Sequence, residues 1–359
     1  MTDRRQAVLA AAGAATDAVG LFDRVSAGLR RTVPFHSAVW TAADPETGLI
    51  TAPMVVQNLG SGERCAEYWE SELLQENVVP FRDLARAPVP AAGLRAATGG
   101  LPARSARFRR LLADQGVHDE LRAVLRIGDR PWGLVSLFRT DKDFGPDEVE
   151  LLARLSRPLA EQLRRFAGPP AAGPRTDSPA PGLILFDDTG AALSANEEAR
   201  HHLALLPDGP SYPTQLGLRL PIWLIGTALQ ARAIADGRDD GDARLRIRTT
   251  EGRWLSCHAS CLTAADGAPG PVALVIEPAT PADLAVLIAD AYGLTERELQ
   301  ITQLIARGMA TAEIATMLFI SPHTVRDHLK AVFAKAGVST RGELVARLFT
   351  EHYWPAMRK

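Results

Sequence analysis

Residues 294–348 read LTERELQITQLIARGMATAEIATMLFISPHTVRDHLKAVFAKAGVSTRGELVARL. The start and stop signals in this stretch predict four short helices. Thr295, with Glu298 three residues on, makes a capping box. The helix it opens carries Ile301, Leu304 and Ile305 on one face and ends at Gly308, a residue suited to a left-handed C-cap. Thr311 is expected to cap a second helix whose apolar residues are Ile314, Ala315 and Leu318. Phe319 and Ile320 make a tight connection. Ser321 caps a third helix, with Pro322 at its first position, where a missing N–H costs nothing. That helix runs to Ala336 and stops at Gly337, and Thr340 with Glu343 opens a fourth.

The third helix carries the chemistry. Val325, Leu329, Val332, Phe333 and Ala336 fall on one stripe at helical spacing, so that face packs inward. His323, Arg326, Asp327 and Lys330 fall on the opposite face. Such a helix, preceded by a short helix and a tight turn, fits a DNA major groove. There Arg grips guanine O6/N7, Lys takes the same acceptors or a phosphate, and Asp accepts from cytosine N4. Thr311, Ser321 and Thr324 lie at or near helix N-termini, where N–H groups and hydroxyls meet phosphates.

The pattern closely resembles the DNA-binding domain of LuxR-type transcriptional regulators. The matching elements are Leu294-Thr295 with Arg297-Glu298, Gly308, Glu313-Ile314-Ala315, Ser321, Thr324-Val325, His328-Leu329, Lys335, Gly337-Val338 and Arg341. The resemblance implies base contacts from Arg326, Asp327 and Lys330, and phosphate contacts from Thr311, Ser321, His323, Thr324, Lys335 and Arg341. Helix four would support dimerisation. Asp327 departs from what a strongly negative groove favours, and it needs a cytosine amino group or Arg326 to meet it. Basic and acidic residues nearly balance around this helix, so one copy grips weakly, which favours a homodimer.

The chain has 359 residues, 23% of them charged, and a formal net charge of −2, so two or three globular domains are expected and any nucleic-acid role is local. Three cysteines, Cys65, Cys257 and Cys261, are too few for a disulfide framework and fit a reducing, cytoplasmic setting. Arg4-Arg5 before AVLAAAGAA faintly resembles an export signal, but its apolar run is mostly alanine and it reads as a helix leading into the first domain. No stretch reaches 18 strongly apolar residues, so no membrane contact is expected.

Residues 1–166 read as one α/β domain. A helix over 17–31 precedes strands over 37–42 and 49–56, and a helix is expected over 63–74. Residues 80–104, rich in Ala, Pro and Gly, are expected to be irregular, and 108–115 helical. Strands over 120–127 and 132–139 form a hairpin, and Pro146 opens a long helix. The closing run, AVLRIGDRPWGLVSLFRT then FGPDEVELLARLSRPLAEQL, resembles a GAF-type sensory domain. That resemblance implies a small-molecule cradle, with Trp40, Tyr68, Trp69 and Phe81 as candidate walls.

Residues 167–181 read as a Pro/Ala/Gly linker. Residues 182–281 follow, with strands over 183–186 and 191–194, a helix capped by Asn196, a helix over 221–235, and strands over 243–249, 254–262 and 272–276. The order of LILFDDTGAALSANEEA, RLRIRTTEGRWLSCHASCL and VALVIEP resembles a PAS-type domain. Cys257 and Cys261 share a strand face that His258 does not, so they do not read as a metal site.

The expected class is therefore α+β: a GAF-like and a PAS-like domain, then an all-α helix-turn-helix domain over 282–359. The expected function is a one-component regulator that reads an inverted repeat as a dimer. A signal at the N-terminal domains would control it, and RNA polymerase would be a partner if it activates. Three other readings stay open: a ligand-independent regulator whose N-terminal domains serve assembly, an interaction protein with a vestigial DNA-binding domain, and a catalytic sensory domain. No phosphate loop, phosphorylatable receiver or G-x-S-x-G elbow is present, the histidines are scattered, and no cofactor or enzymatic activity is implied.

Overall fold

The computed structural model describes residues 2–59, 77–167, 180–265, 267–280, 283, 292–306 and 308–348, with side chains at 2–4, 296, 306 and 345–348 left aside. The expected helix over 63–74, with Cys65, Tyr68 and Trp69, lies outside the described residues, as do residues 168–179 of the expected 167–181 linker. The chain falls into two compact units, one spanning Met1–Phe166, Pro179–Thr250 and Leu255–Glu277, the other Ala167–Ser178, Glu251–Trp254 and Pro278–Lys359.

The first unit begins with α1 (Thr2–Gly13) and α2 (Ala18–Arg30). Asp17 caps α2, its Oδ1 accepting the Gly20 N–H at 2.7 Å, and Leu21, Phe22, Val25 and Leu29 are buried. Strands β1 (Ser37–Ala43) and β2 (Ile50–Gln57) pair antiparallel through the turn Asp44-Pro-Glu-Thr-Gly48. Next come α3 (Phe81–Arg86), β3 (Ala91–Gly93) and α4 (Leu94–Ala97). The hairpin of β4 (Asp119–Ile127) and β5 (Arg130–Arg139) follows, then the long helix α5 (Pro146–Phe166). The sheet is five-stranded, in the order β2-β1-β5-β4-β3.

Helix α5 buries Leu152, Leu155 and Leu159 in an amphipathic stripe and lies against β4. Gly133 permits that approach: a Cβ there would sit 2.8 Å from Leu163 Cδ1.

The expectation that 80–104 is irregular is corrected. Phe81, Leu84 and Ala85 bury one face of α3, and β3 pairs with β4 at the sheet edge. Small and Pro-rich composition hid elements this short. The helix expected over 108–115 is a π turn (Phe108–Leu112) followed by a 3₁₀ turn (Ala113–Gln115).

A second sheet follows in the same unit. Its elements are β6 (Gly182–Phe186), β7 (Ala192–Ala195), α6 (Glu197–Ala204), a two-stranded hairpin of β8 (Ser211–Pro213) and β9 (Arg219–Pro221), α7 (Ile222–Ala235), β10 (Arg244–Arg248), β11 (Trp254–Thr263) and β12 (Pro269–Pro278). The β8–β9 hairpin was absent from the sequence reading. The five-stranded order is β10-β11-β12-β6-β7. Asn196 caps α6, its Oδ1 accepting from Ala199 N–H at 3.0 Å and from Leu183 N–H at 2.8 Å.

The two sheets share one apolar cluster. It runs from Val39 and Phe138 of the first sheet and Phe81 of α3 to Ile247 and Leu274 of the second sheet and Trp223 of α7. Beside it, edge strands β2 and β10 meet: Thr51 Oγ1 donates to the Arg246 carbonyl at 3.1 Å.

In the other unit, α8 (Glu296–Ala306), α9 (Thr311–Met317), α10 (Pro322–Ala336) and α11 (Arg341–Leu348) form the C-terminal helical region. Its buried residues include Ile301, Leu304, Ile305, Ile314, Val325, Leu329, Val332 and Leu344. Among the described residues, no helix is long and apolar enough to cross a membrane.

Candidate nucleic-acid interface

Helix α10 is fixed at both ends. Ser321 Oγ accepts the Thr324 N–H at 3.0 Å, Pro322 occupies the first turn, and Gly337 closes the helix at φ 63°. Val325, Leu329, Val332 and Ala336 are buried beneath it, with Phe333 half-buried. Helices α8 and α9 both pack against it.

That leaves His323, Arg326, Asp327 and Lys330 exposed together on the outer face. Asp327 is bracketed within the helix. His323 Nδ1 lies 2.9 Å from its Oδ2, and Lys330 Nζ lies 3.9 Å from its Oδ1. Arg326, the neighbour the sequence suggested for Asp327, instead turns back and donates from Nε to the Pro322 carbonyl at 3.2 Å. His328 is half-buried beside the apolar stripe.

Thr311 is corrected as a cap: Ala310 holds the N-cap position and Thr311 begins the helix. Alanine offers no side-chain acceptor, so the cap is one-sided, with Glu313 Oε2 accepting the Ala310 N–H at 2.6 Å. Thr311 is half-buried, Ser321 exposed and Thr324 half-buried.

Two of the expected phosphate-facing cations are engaged inside the helical region. Lys335 Nζ donates to Glu298 Oε2 at 2.6 Å, and Arg341 Nη2 donates to the Met309 carbonyl. Glu298 also closes the expected capping box, accepting the Thr295 N–H at 2.6 Å. Burial pushes the Glu298 carboxyl up, but the Lys335 ammonium and the Thr295 N–H and hydroxyl outweigh it and hold the group below its ordinary range. The second expected capping box is displaced by one residue: Glu343 Oε2 accepts from Ser339 N–H at 2.7 Å, while Thr340 Oγ1 accepts from Glu343 N–H at 3.0 Å.

Of the expected small-molecule walls, Tyr68 and Trp69 lie outside the described residues, and the two that are described, Trp40 and Phe81, sit on opposite faces of the sheet. Register places Trp40 opposite Val135, and Val135 opposite Ala123, one row away from Val39, Ser136 and Arg122. Adjacent rows of a sheet point to opposite faces. Trp40 therefore turns to the helix side, its ring 6.0 Å from Phe22. Phe81 lies across the sheet, under the Arg122 guanidinium at 3.7 Å. On that face the buried ions Arg107 and Arg122 approach Glu120 Oε1 at 3.2 and 3.7 Å, a cluster the sequence reading missed. Alternation along β4 puts Glu120, Arg122 and Val124 on one side, which was the available signal.

In the second sheet Cys257 is buried and His258 exposed, as strand alternation requires. Burial pushes the Cys257 thiol up to about 12.

Residues 293–348 match the family described as bacterial regulatory proteins, luxR family. Over 55 residues the chain is 42% identical to the spore germination protein GerE of Bacillus subtilis, a match covering 15% of this chain and 74% of GerE. The chain belongs to the luxR family of bacterial regulatory proteins. Two further relatives match over similarly short stretches, a small part of their own length. The transcriptional regulatory protein UhpA of Escherichia coli is 42% identical over 69 residues, 19% of this chain and 35% of UhpA. A putative HTH-type transcriptional regulator of Mycobacterium bovis, Mb0914c, is 42% identical over 52 residues, 14% of this chain and 6% of that protein.

Among solved structures, the phage VqmA–DPO complex aligns with 50% of this chain and 84% of its own at 19% identity and TM-score 0.24. The chromophore-binding domain of a bacteriophytochrome from R. palustris aligns with 46% of this chain and 60% of its own at 13% identity and TM-score 0.33.

Proposed function

We propose that this luxR-family chain is a one-component transcription regulator that binds DNA as a homodimer, with α10 in the major groove. The carrying observation is the outward set of Arg326, Asp327 and Lys330, opposite a face buried through Val325, Leu329 and Val332. Arg326 and Lys330 read guanine edges, and Asp327 accepts from a cytosine amino group once released from His323. Ser321, Thr324, His323 and Thr311 face phosphates. Two copies place their α10 helices about 34 Å apart on an inverted repeat. RNA polymerase is the further partner if the bound protein activates.

In the same reading, residues 1–166 form a GAF-like domain and 182–281 a PAS-like domain, joined by the 167–181 linker and followed by the DNA-binding domain over 282–359. They receive a signal and bias the DNA-binding arrangement through differential affinity for it. A ligand-independent version, in which both domains serve assembly, is favoured by one observation: Trp40 and Phe81 lie on opposite sheet faces and cannot wall one pocket.

The test is to map DNA sites across the genome of the native cells, then bind one site with purified full-length protein, with and without cell extract. A short inverted repeat bound only with extract supports signal gating. Equal binding without extract supports the assembly version. No enriched sites overturns the regulator reading.

A further inference from the structure

The two sheets meet at a polar hook that apolar packing alone does not require. Asp44 opens the β1–β2 turn, and Arg246 sits on edge strand β10, 202 residues away. Both side chains are 1% exposed. Arg246 donates to Asp44 Oδ2 from its backbone N–H at 3.0 Å and from Nε at 2.8 Å, and from Nη2 to Asp44 Oδ1. Its Nη2 also lies 2.8 Å from Glu46 Oε2. Thr51 of β2 donates to the Arg246 carbonyl. One residue is thus held by its amide, its carbonyl and its guanidinium.

The turn is built to present this carboxylate. Asp44 Oδ1 accepts the N–H groups of Glu46 at 3.0 Å and Thr47 at 3.3 Å, fixing the side chain before Arg246 arrives. Two further bonds flank the hook: Arg82 to Asp239, and Arg248 Nη1 to the Phe166 carbonyl at 3.4 Å. Arg248 therefore ties β10 to the last residue of α5.

A buried ion pair adds little net stability over apolar residues of the same size, because both charges lose their water. It does impose geometry. An apolar interface tolerates sliding, whereas a bidentate pair with two backbone bonds admits one register. We propose that the Asp44–Arg246 hook makes the two sheets a single input body that opens and shifts as one. A signal bound on either sheet then acts on both. This rests on the reading of the sheets as the signal-receiving half.

Hydrogen exchange on the full chain tests the hook. Phe22 lies on the helix side of the first sheet, away from the shared apolar cluster, so Phe22→Leu removes packing directly from that sheet only. Amides of 134–138 report the first sheet and amides of 272–276 the second. With the hook intact, Phe22→Leu should speed exchange at both sets by the same factor, tenfold or more. With Asp44→Ala, only 134–138 should respond. If Asp44→Ala does not fold, the doubly apolar Asp44→Leu/Arg246→Met takes its place, and the second set should again fall silent. A response confined to 134–138 in the native background, or a shared response that survives loss of the hook, overturns the proposal. Exchange is read without DNA, so either result leaves the DNA-binding reading to its own test.

Discussion

Lys335 Nζ lies 2.6 Å from Glu298 Oε2, tying the last turn of α10 to the first turn of α8. The ammonium is a third exposed and the carboxylate almost fully buried. Lys335→Met removes a charge-assisted bond and leaves Glu298 buried without its cation, so the full chain should lose about 1–2 kcal/mol from the transition of its helical region. Because this lysine is engaged inside the protein, the salt dependence of DNA binding should change by well under one counterion. Calorimetry and a salt titration check the two halves separately.

The same carboxylate sets a pH dependence. Glu298 titrates below its ordinary 4.5 in the folded chain. The unfolded state therefore binds a proton first, so its stabilisation is complete above pH 4.5 and lost as pH falls through the folded value. Urea midpoints of the helical region should fall below pH 4.5, and Lys335→Met should flatten that fall.

His202, on the helix that packs beside the second sheet, sets another. Its ring is 1% exposed, and burial holds its pKa below 6.5. A depressed folded value means the neutral ring is favoured: stability is full above pH 6.5 and declines as pH drops through the folded value. His202→Leu should remove the part of the acid destabilisation that lies between pH 6.5 and the folded value.

Phe319 stands in the left-handed region at φ 56°, with 94% of its surface exposed. Its ring contributes no packing while its Cβ opposes the backbone. Phe319→Gly should stabilise the helical region by roughly 0.5–1 kcal/mol in thermal unfolding. A loss of stability would show that the exposed ring makes a contact the fold depends on.

Asp327→Ala should raise general DNA affinity several-fold by removing a carboxylate from the groove-facing surface, and should relax base preference at one position. Competition binding against a panel of single-base operator variants separates the two effects.

Much of the fold was legible because its signals are local. Asn196 and Ser321 cap within three residues, the β4–β5 hairpin turns within four, and α5 carries its own stripe. The outward set on α10 was legible for the same reason: periodicity of one helix decides it. What escaped was decided by distant partners. No local pattern pairs Asp44 with Arg246, or takes Lys335 and Arg341 from phosphates to Glu298 and Met309. Trp40 looked like a pocket wall by residue type, and only register with β5 shows which face it joins.

The central claim is that Arg326 and Lys330 read bases. Fluorescence anisotropy on one operator from the mapped sites, with scrambled DNA as control, compares the full-length native chain with Arg326→Ala/Lys330→Ala. The account predicts that the variant keeps its melting temperature and its weak binding to scrambled DNA, and loses at least a hundredfold in preference for the operator. An unchanged operator preference would contradict it.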